Sequence, residues 1–225
     1  LIVIINGFFK MIKNSTTPHL TTTLTGPLKY LEKCFLDQQV AIESWFRQAW
    51  STTPAPLYTS VDLRNAGFKL APVDTNLFPA GFNNLNQDFL PLCVQAAQAT
   101  IAETCPDVTR LLLIPESHSR NAFYYESLFV IVDIFKRAGF EVRIGSLDKA
   151  LQAPKVINLS LGKQLHLEPL RRDGDAVGVG DFFPCCIILN NDLSEGVPSI
   201  LEGISQKIRP LTQLGWATRL KSQHF

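Results

Sequence analysis

RLLLIPESHSRNAFYYESLFVIVDIFKRAGFEVRIG, residues 110–145, is the stretch on which the reading of the fold turns. RLLLIP (110–115) is an apolar run bounded by polar residues, as a strand buried on both faces of a parallel sheet requires. From about 121 to 138, Phe123, Tyr124, Leu128, Ile131, Val132, Phe135 and Ala138 recur at three- and four-residue steps, so they share one face of a helix. Gly139 stands where that helix should end, and FEVRIG (140–145) supplies the next strand. Strand, helix and strand in this order predict a right-handed crossover between parallel strands.

Upstream, LYTSV (57–61) reads as a short buried strand and residues 86–104 as a helix with Asn86 as cap and Pro106 beyond its end. The order strand, helix, strand, helix, strand predicts an α/β fold with a mostly parallel sheet flanked by helices. Earlier still, Thr25 or Gly26 can cap a helix with Pro27 at its first position. Leu28, Leu31, Phe35, Ile42, Trp45, Phe46 and Ala49 mark one apolar stripe running to about residue 50, where STTPAP ends it. Downstream, KVINLSL, LHLEPL and VGVGDFF suit strands, RRDGD (171–175) a turn, and CCIILN (185–190) a buried strand. SEGVPSILEGISQ suits a short helix starting near Glu195. No internal repeat appears, and no linker is long enough to force a domain split.

The chain has 225 residues, 46% apolar and 18% charged, which suits a soluble globular protein with a sizeable core. Lys and Arg number 21 against 20 acids, a net charge of +1, so neither nucleic acid nor membrane is expected as a partner. LIVIINGFFK at the start is too short for a membrane span. Residues 1–10 read as sequence from upstream of a natural start or an expression remnant, with a short first strand as the alternative. Residues 1–24 as a whole are expected to form a poorly ordered arm. Cys34, Cys93, Cys105, Cys185 and Cys186 form no CxxC pair, and read as free thiols in a reducing, cytoplasmic setting.

Three apolar strands run directly into polar clusters: YTSV into DLRN, LLLIP into ESHSRN, and CIIL into NNDLS. Ligands bind outside the carboxyl ends of strands in open parallel sheets, so Asp62, Arg64, Glu116, His118, Arg120, Asn121, Asn190, Asn191 and Asp192 are expected on one rim. The same residue types also serve as helix caps and turn formers, a role that accounts for Asn121, Asn190 and Ser194 more readily than for Arg64, Glu116 and Arg120. His118 is of the type used as a base, yet a lone His in a polar loop is more often simply hydrogen-bonded. Glu116 and Asp192 are ligands a hard ion accepts, but their spacing gives no support and no residue is assigned to a metal.

KIRPLTQLGWATRLKSQHF carries Lys207, Arg209, Arg219 and Lys221 and no acid, which suits a phosphate, a carboxylate or a solvated basic helix. No GxxxxGK[ST], GxGxxG, GxSxG or HExxH pattern occurs. DLRNAGFKLAPVDTNLFPAGFNNL (62–85) shows no period of 2 or 3.6 and reads as an ordered loop. Its Gly and Pro would fix turns, its Phe would pin it to the core, and Arg64, Lys69, Asp74 and Asn76 would face a ligand.

This last segment, with LLLIPESHSRNAFYYESL, ILNNDLSEGVPSIL and GWATRLKSQHF in order, resembles the proteobacterial glutamate–cysteine ligases of the ATP-grasp-like type, over about residues 25–225. The resemblance implies a pre-ATP-grasp (Rossmann-like) domain with the ATP-grasp lobes largely missing. It also implies an ATP- and Mg²⁺-dependent ligase that activates the γ-carboxylate of L-glutamate as an acylphosphate and joins it to L-cysteine, the first step of glutathione synthesis. Asp62, Arg64, Lys69, Asp74, Asn76, Glu116, Arg120, Asn121, Asn191 and Asp192 would line the substrate side, and Arg219 with Lys221 would meet phosphate. Within that set, Arg64 and Arg120 would take carboxylates and Glu116 and Asp192 an ammonium or Mg²⁺. Proteins of this type are longer, so the main ATP and Mg²⁺ contacts are expected downstream and the chain alone is expected to lack ligase activity. The alternative is a non-catalytic α/β amino-acid-binding module.

Overall fold

A computed structural model describes residues 2–5, 27–52, 56–66, 70–117, 121–193, 196–205 and 209–210. In chain order the elements are β1 (Ile2–Ile5), α1 (Pro27–Asp37), α2 (Gln39–Thr52), β2 (Tyr58–Asn65) and β3 (Leu70–Asn76). Then come α3 (Leu90–Thr104), β4 (Arg110–Pro115), α4 (Ala122–Arg137), β5 (Glu141–Ser146) and β6 (Lys155–Asn158). They are followed by β7 (Gln164–Asp173), β8 (Ala176–Val179), β9 (Cys186–Asn190) and β10 (Arg209–Pro210). The main sheet runs β10-β9-β4-β5-β7-β6, with β8 paired to β7. Strands β10, β9, β4, β5 and β7 are parallel, while β6 and β8 run antiparallel to β7.

β4 sits at the centre because its sequence is apolar on both faces. Leu111 and Leu113 join Ile188, Leu128, Ile131 and Phe135 beneath α3 and α4. Leu112 and Ile114 face the other way, against Phe78, Val177, Val179, Leu189 and Leu201. Leu111, Leu112, Leu113 and Ile114 are all fully buried. The crossover helix α4 starts at Asn121, whose side-chain oxygen accepts from the Phe123 amide at 3.0 Å. It ends at Gly139, where φ is +97°, with Lys136 and Arg137 in the last turn as the helix dipole favours.

Five local expectations are corrected. The helix anticipated up to residue 50 is two helices that meet at Gln38, with the Gln38 amide on the Cys34 carbonyl and the Ile42 amide on the Gln38 carbonyl. No residue of α2 is buried, and Tyr30, Phe35, Leu36, Trp45 and Phe46 are exposed. The LYTSV strand does not join the parallel sheet; β2 lies between β1 and β3 in a separate antiparallel sheet. The segment beginning at Asp62 is no aperiodic loop, since β2 extends to Asn65 and β3 returns over Leu70–Asn76. Downstream, a 3₁₀ turn at Ser199–Leu201 replaces the short helix, and Arg171–Asp173 continue β7 before the turn at Gly174. Ser194 and Glu195 lie outside the described residues.

The back face of the sheet depends on Arg172. Its guanidinium donates to the carbonyls of Gly174 at 2.7 Å, Ile200 at 2.8 Å and Gly203 at 2.9 Å, fastening the β7–β8 turn to the segment that leads toward β10. A lysine presents one compact ammonium and cannot reproduce this fork. Arg172→Ala is therefore expected to lower the unfolding free energy by roughly 1–3 kcal/mol in urea melts, with Arg172→Lys recovering only part.

The β6–β7 turn is fastened to α4 by Glu126, whose carboxylate accepts from the Ser160 amide at 2.8 Å and hydroxyl at 2.6 Å. These hydrogen bonds favour the ionised form and hold the Glu126 carboxyl below its ordinary value. A depressed carboxylate pKa contributes stability that is present above the unfolded value and lost as pH falls through the folded one. Hydrogen-exchange protection of the Ser160 amide should thus persist at neutral pH and fade in acid, below the normal glutamate range. Glu126→Gln should show weakened protection with little pH dependence.

Candidate functional site

The carboxyl ends of β4 and β9 meet in register at Pro115 and Asn190. Asn190 is fully buried, and every hydrogen-bonding group of its side chain is used. Its amide donates to the Tyr58 hydroxyl oxygen at 3.2 Å and to the Pro79 carbonyl at 3.3 Å. Its carbonyl oxygen accepts from the Tyr124 hydroxyl at 3.1 Å. Tyr58 in turn donates to the Leu189 carbonyl at 3.1 Å, and the Glu116 amide donates to the Tyr124 oxygen at 2.8 Å. Strand β2, helix α4, the 77–81 segment and the ends of two central strands are thereby tied at one point. Burial disfavours the phenolates, so both tyrosine hydroxyls are held well above their ordinary pKa and remain donors.

The next residues continue the rim. Asn191 donates to the Pro115 carbonyl at 3.2 Å and accepts from the Leu193 amide at 2.9 Å. Leu193 is buried and holds φ at +50°, a left-handed conformation that a branched side chain rarely adopts. Asp192 between them is half-buried, while Glu116 is exposed at the end of β4. Asn121 is the cap of α4, and the Asn76 side chain accepts from the Phe78 amide at 2.9 Å in the turn leaving β3.

From Tyr58 the β2–β3 hairpin leaves the body. Tyr58 and Ser60 are buried; Asp62 and Arg64, at the next two alternate positions, lie on the same face of β2 and are exposed. Asn76 and Asp74 pair with Ser60 and Asp62 and so share this face. Glu116, Asn191 and Asp192 thus stand at the ends of β4 and β9, while Asp62, Arg64, Asp74 and Asn76 share one face of an antiparallel hairpin and not the end of a parallel strand. Lys69, His118, Arg120, Arg219 and Lys221 lie outside the described residues. Tyr58, Ser60 and Tyr124 were not anticipated at the rim. The available signal was YTSVDLR itself, whose alternate residues Tyr, Ser, Asp and Arg form one continuous face.

Among the described residues no group of three or more His, Cys, Asp or Glu side chains converges to hold a metal ion, so no step is derived through one. Among the same residues no helix is long and apolar enough to cross a membrane. The five cysteines are free thiols.

Comparison with protein families matches a glutamate–cysteine ligase model over residues 32–225. The chain belongs to the glutamate–cysteine ligase family. A crystal structure from Methylobacillus flagellatus KT, named "Putative gamma-glutamylcysteine synthetase", is 53% identical in sequence with a TM-score of 0.79. The similarity covers 94% of this chain and 50% of that one, so the present glutamate–cysteine ligase family chain spans half the length of its solved relative. Comparison with curated proteins gives no match.

The buried knot of this ligase-family domain is open to direct test. Asn190→Leu leaves the Tyr58 oxygen and Pro79 carbonyl without their donor, and is expected to cost about 2–4 kcal/mol in denaturant melts. A spectrophotometric alkaline titration should show Tyr58 and Tyr124 silent while the fold persists. Tyr58→Phe and Tyr124→Phe should then leave the titration amplitude of the folded chain unchanged.

Proposed function

We propose that this chain forms the amino-acid side of an ATP-dependent glutamate–cysteine ligase that makes γ-glutamylcysteine for glutathione synthesis. The observation that carries the reading is the family match across residues 32–225, joined by the 53% identical solved relative. In this reading the γ-carboxylate of glutamate is activated as an acylphosphate, and the amine of cysteine attacks its carbonyl carbon as phosphate leaves. Such chemistry asks a protein to orient two amino acids and to neutralise a transferring phosphoryl group. Asp62, Arg64, Lys69, Asp74, Asn76, Glu116, Arg120, Asn121, Asn191 and Asp192 are assigned to the first task and Arg219 with Lys221 to the second. Asn76, Asn121 and Asn191 serve it by fixing loops, since their side chains hold the turn after β3, the cap of α4 and the Leu193 turn.

The main contacts to ATP and Mg²⁺ are assigned to the half of such a protein that this chain does not match, so the isolated chain is proposed to be inactive. The test measures ADP release and γ-glutamylcysteine formation from L-glutamate, L-cysteine, ATP and Mg²⁺, using the chain alone and the chain within its full-length protein. Product from the full-length protein and none from the chain alone is the expected result. Equal turnover by the two would overturn the placement of the nucleotide contacts. Failure of the full-length protein to make γ-glutamylcysteine would overturn the ligase reading.

A further inference from the structure

Helices α1 and α2 stand apart from both cores. Among the described residues, neither hydrophobic cluster includes a side chain from either helix, and Phe35, Trp45 and Phe46 are 47%, 63% and 37% exposed. Hydrogen bonds one helical turn apart continue across the junction, from the Gln38 amide to the Cys34 carbonyl and from the Ile42 amide to the Gln38 carbonyl. The turn count therefore runs on through Gln38. Counted this way, Leu31, Phe35, Gln38, Ile42, Trp45 and Ala49 recur at alternating steps of four and three residues. Such alternation is the heptad seam of a coiled coil, and residues 27–52 hold more than three repeats of it.

The charges lie away from the seam. Lys33 pairs with Asp37, and Arg47 with Glu43 at 3.8 Å, all on the outward side of the heptad. The positions that flank a seam hold Cys34, Gln39, Ala41, Phe46 and Gln48, with Glu32 the one charged residue. A partner chosen by charge would need opposite charges to meet there, whereas two identical flanks close without repulsion when they are neutral. Helices α3 and α4 already bury their apolar faces against the sheet. Among the described residues, the helix with a matching open seam is therefore that of another copy.

We propose that residues 27–52 pair with the same helix of a second copy of this chain as a two-fold, two-stranded coiled coil. Phe35, Ile42, Trp45 and Ala49 fill the shared seam, and Gln38 interrupts it with an amide that lowers affinity and fixes the register. Pairing removes from water an aromatic surface that the fold leaves open. The ligase reading plays no part in this proposal.

Sedimentation equilibrium of the chain and of its full-length protein reads the association. Both should be dimers at micromolar concentration. Trp45→Glu and Phe35→Glu should raise the dimer dissociation constant by about a hundredfold or more, with thermal melting of the α/β core unchanged. Gln38→Leu should lower it about tenfold, a gain that misfolding does not imitate. Val40, 83% exposed, lies on the opposite side of the helix, so Val40→Glu should leave the constant unchanged and separate a seam from general stickiness. A monomeric unaltered chain, or a dimer that neither glutamate at the seam nor Gln38→Leu alters, overturns the proposal. A chain that pairs only outside its full-length protein also overturns it, the seam then being covered by the rest of that polypeptide. γ-Glutamylcysteine formation is measured separately, so failure of either reading leaves the other standing.

Discussion

The side chain of Asn190 is the constraint from which the arrangement of the rim follows. A primary amide in a fully buried place must find partners for two donors and an acceptor, because each group left alone costs roughly 1–3 kcal/mol. Here the partners come from Tyr58 of β2, Tyr124 of α4 and Pro79 of the connecting segment. None of these is near Asn190 in sequence, so the amide is satisfied only when hairpin, helix and sheet have arrived together. The geometry is correspondingly unforgiving: among the described residues the antiparallel hairpin has no ladder bonds to the parallel sheet, and this knot ties the two together. Ring packing between Tyr58 and Phe82, with centroids 5.2 Å apart, and the Phe82 amide on the Ser127 hydroxyl extend the same junction into the core.

Much of the fold was legible where hydrophobicity carries the period. β4, α4, β5 and β9 fall within a residue or so of the segments read from RLLLIP, the Phe123–Ala138 stripe, FEVRIG and CCIILN. The hairpin was hidden for a physical reason. Beyond Ser60 its shared face leaves the body, so alternation continues in charge and polarity through Asp62, Arg64 and Asp74, with no apolar signal to betray it. Pro72 and Asp74 further depress strand propensity, although among the described residues β3 has only β2 as a neighbour and tolerates a missing amide donor. The break at Gln38 has no Gly or Pro to announce it, and a uniform apolar stripe passes straight through.

The rim was legible in outline and ambiguous in detail. The polar residues after β4 and β9 stand side by side as expected of parallel strand ends, whereas those of DLRN belong to the separate hairpin; composition, moreover, does not distinguish an Asn that meets a ligand from one that holds a loop. Asn191 illustrates the difficulty: its donor and acceptor are spent on Pro115 and Leu193, and the latter bond sustains a left-handed leucine. Asn121 and Asn76 likewise serve neighbouring amides. Family motifs reached further than geometry in two places, since parts of ESHSRN and all of GWATRL lie outside the described residues while still entering the family match.

The register of the hairpin shifts between Asp62 and Leu63, so that Asp62 pairs with Asp74 while Leu63 pairs with Pro72, leaving Val73 as one additional residue in β3. Such a bulge reverses the parity of every position beyond it. In a regular ladder Val73 would pair with Leu63, and Pro72 would stand across from Arg64 with a rigid ring against the guanidinium stem; the bulge sets Ala71 there instead. Removing Val73 would keep Leu63 on Pro72 and Arg64 on Ala71 while straightening the strand. The extra residue therefore lets the two halves of β3 turn opposite parities of their sequence to one face, a pattern that no simple alternation of residue types would reveal.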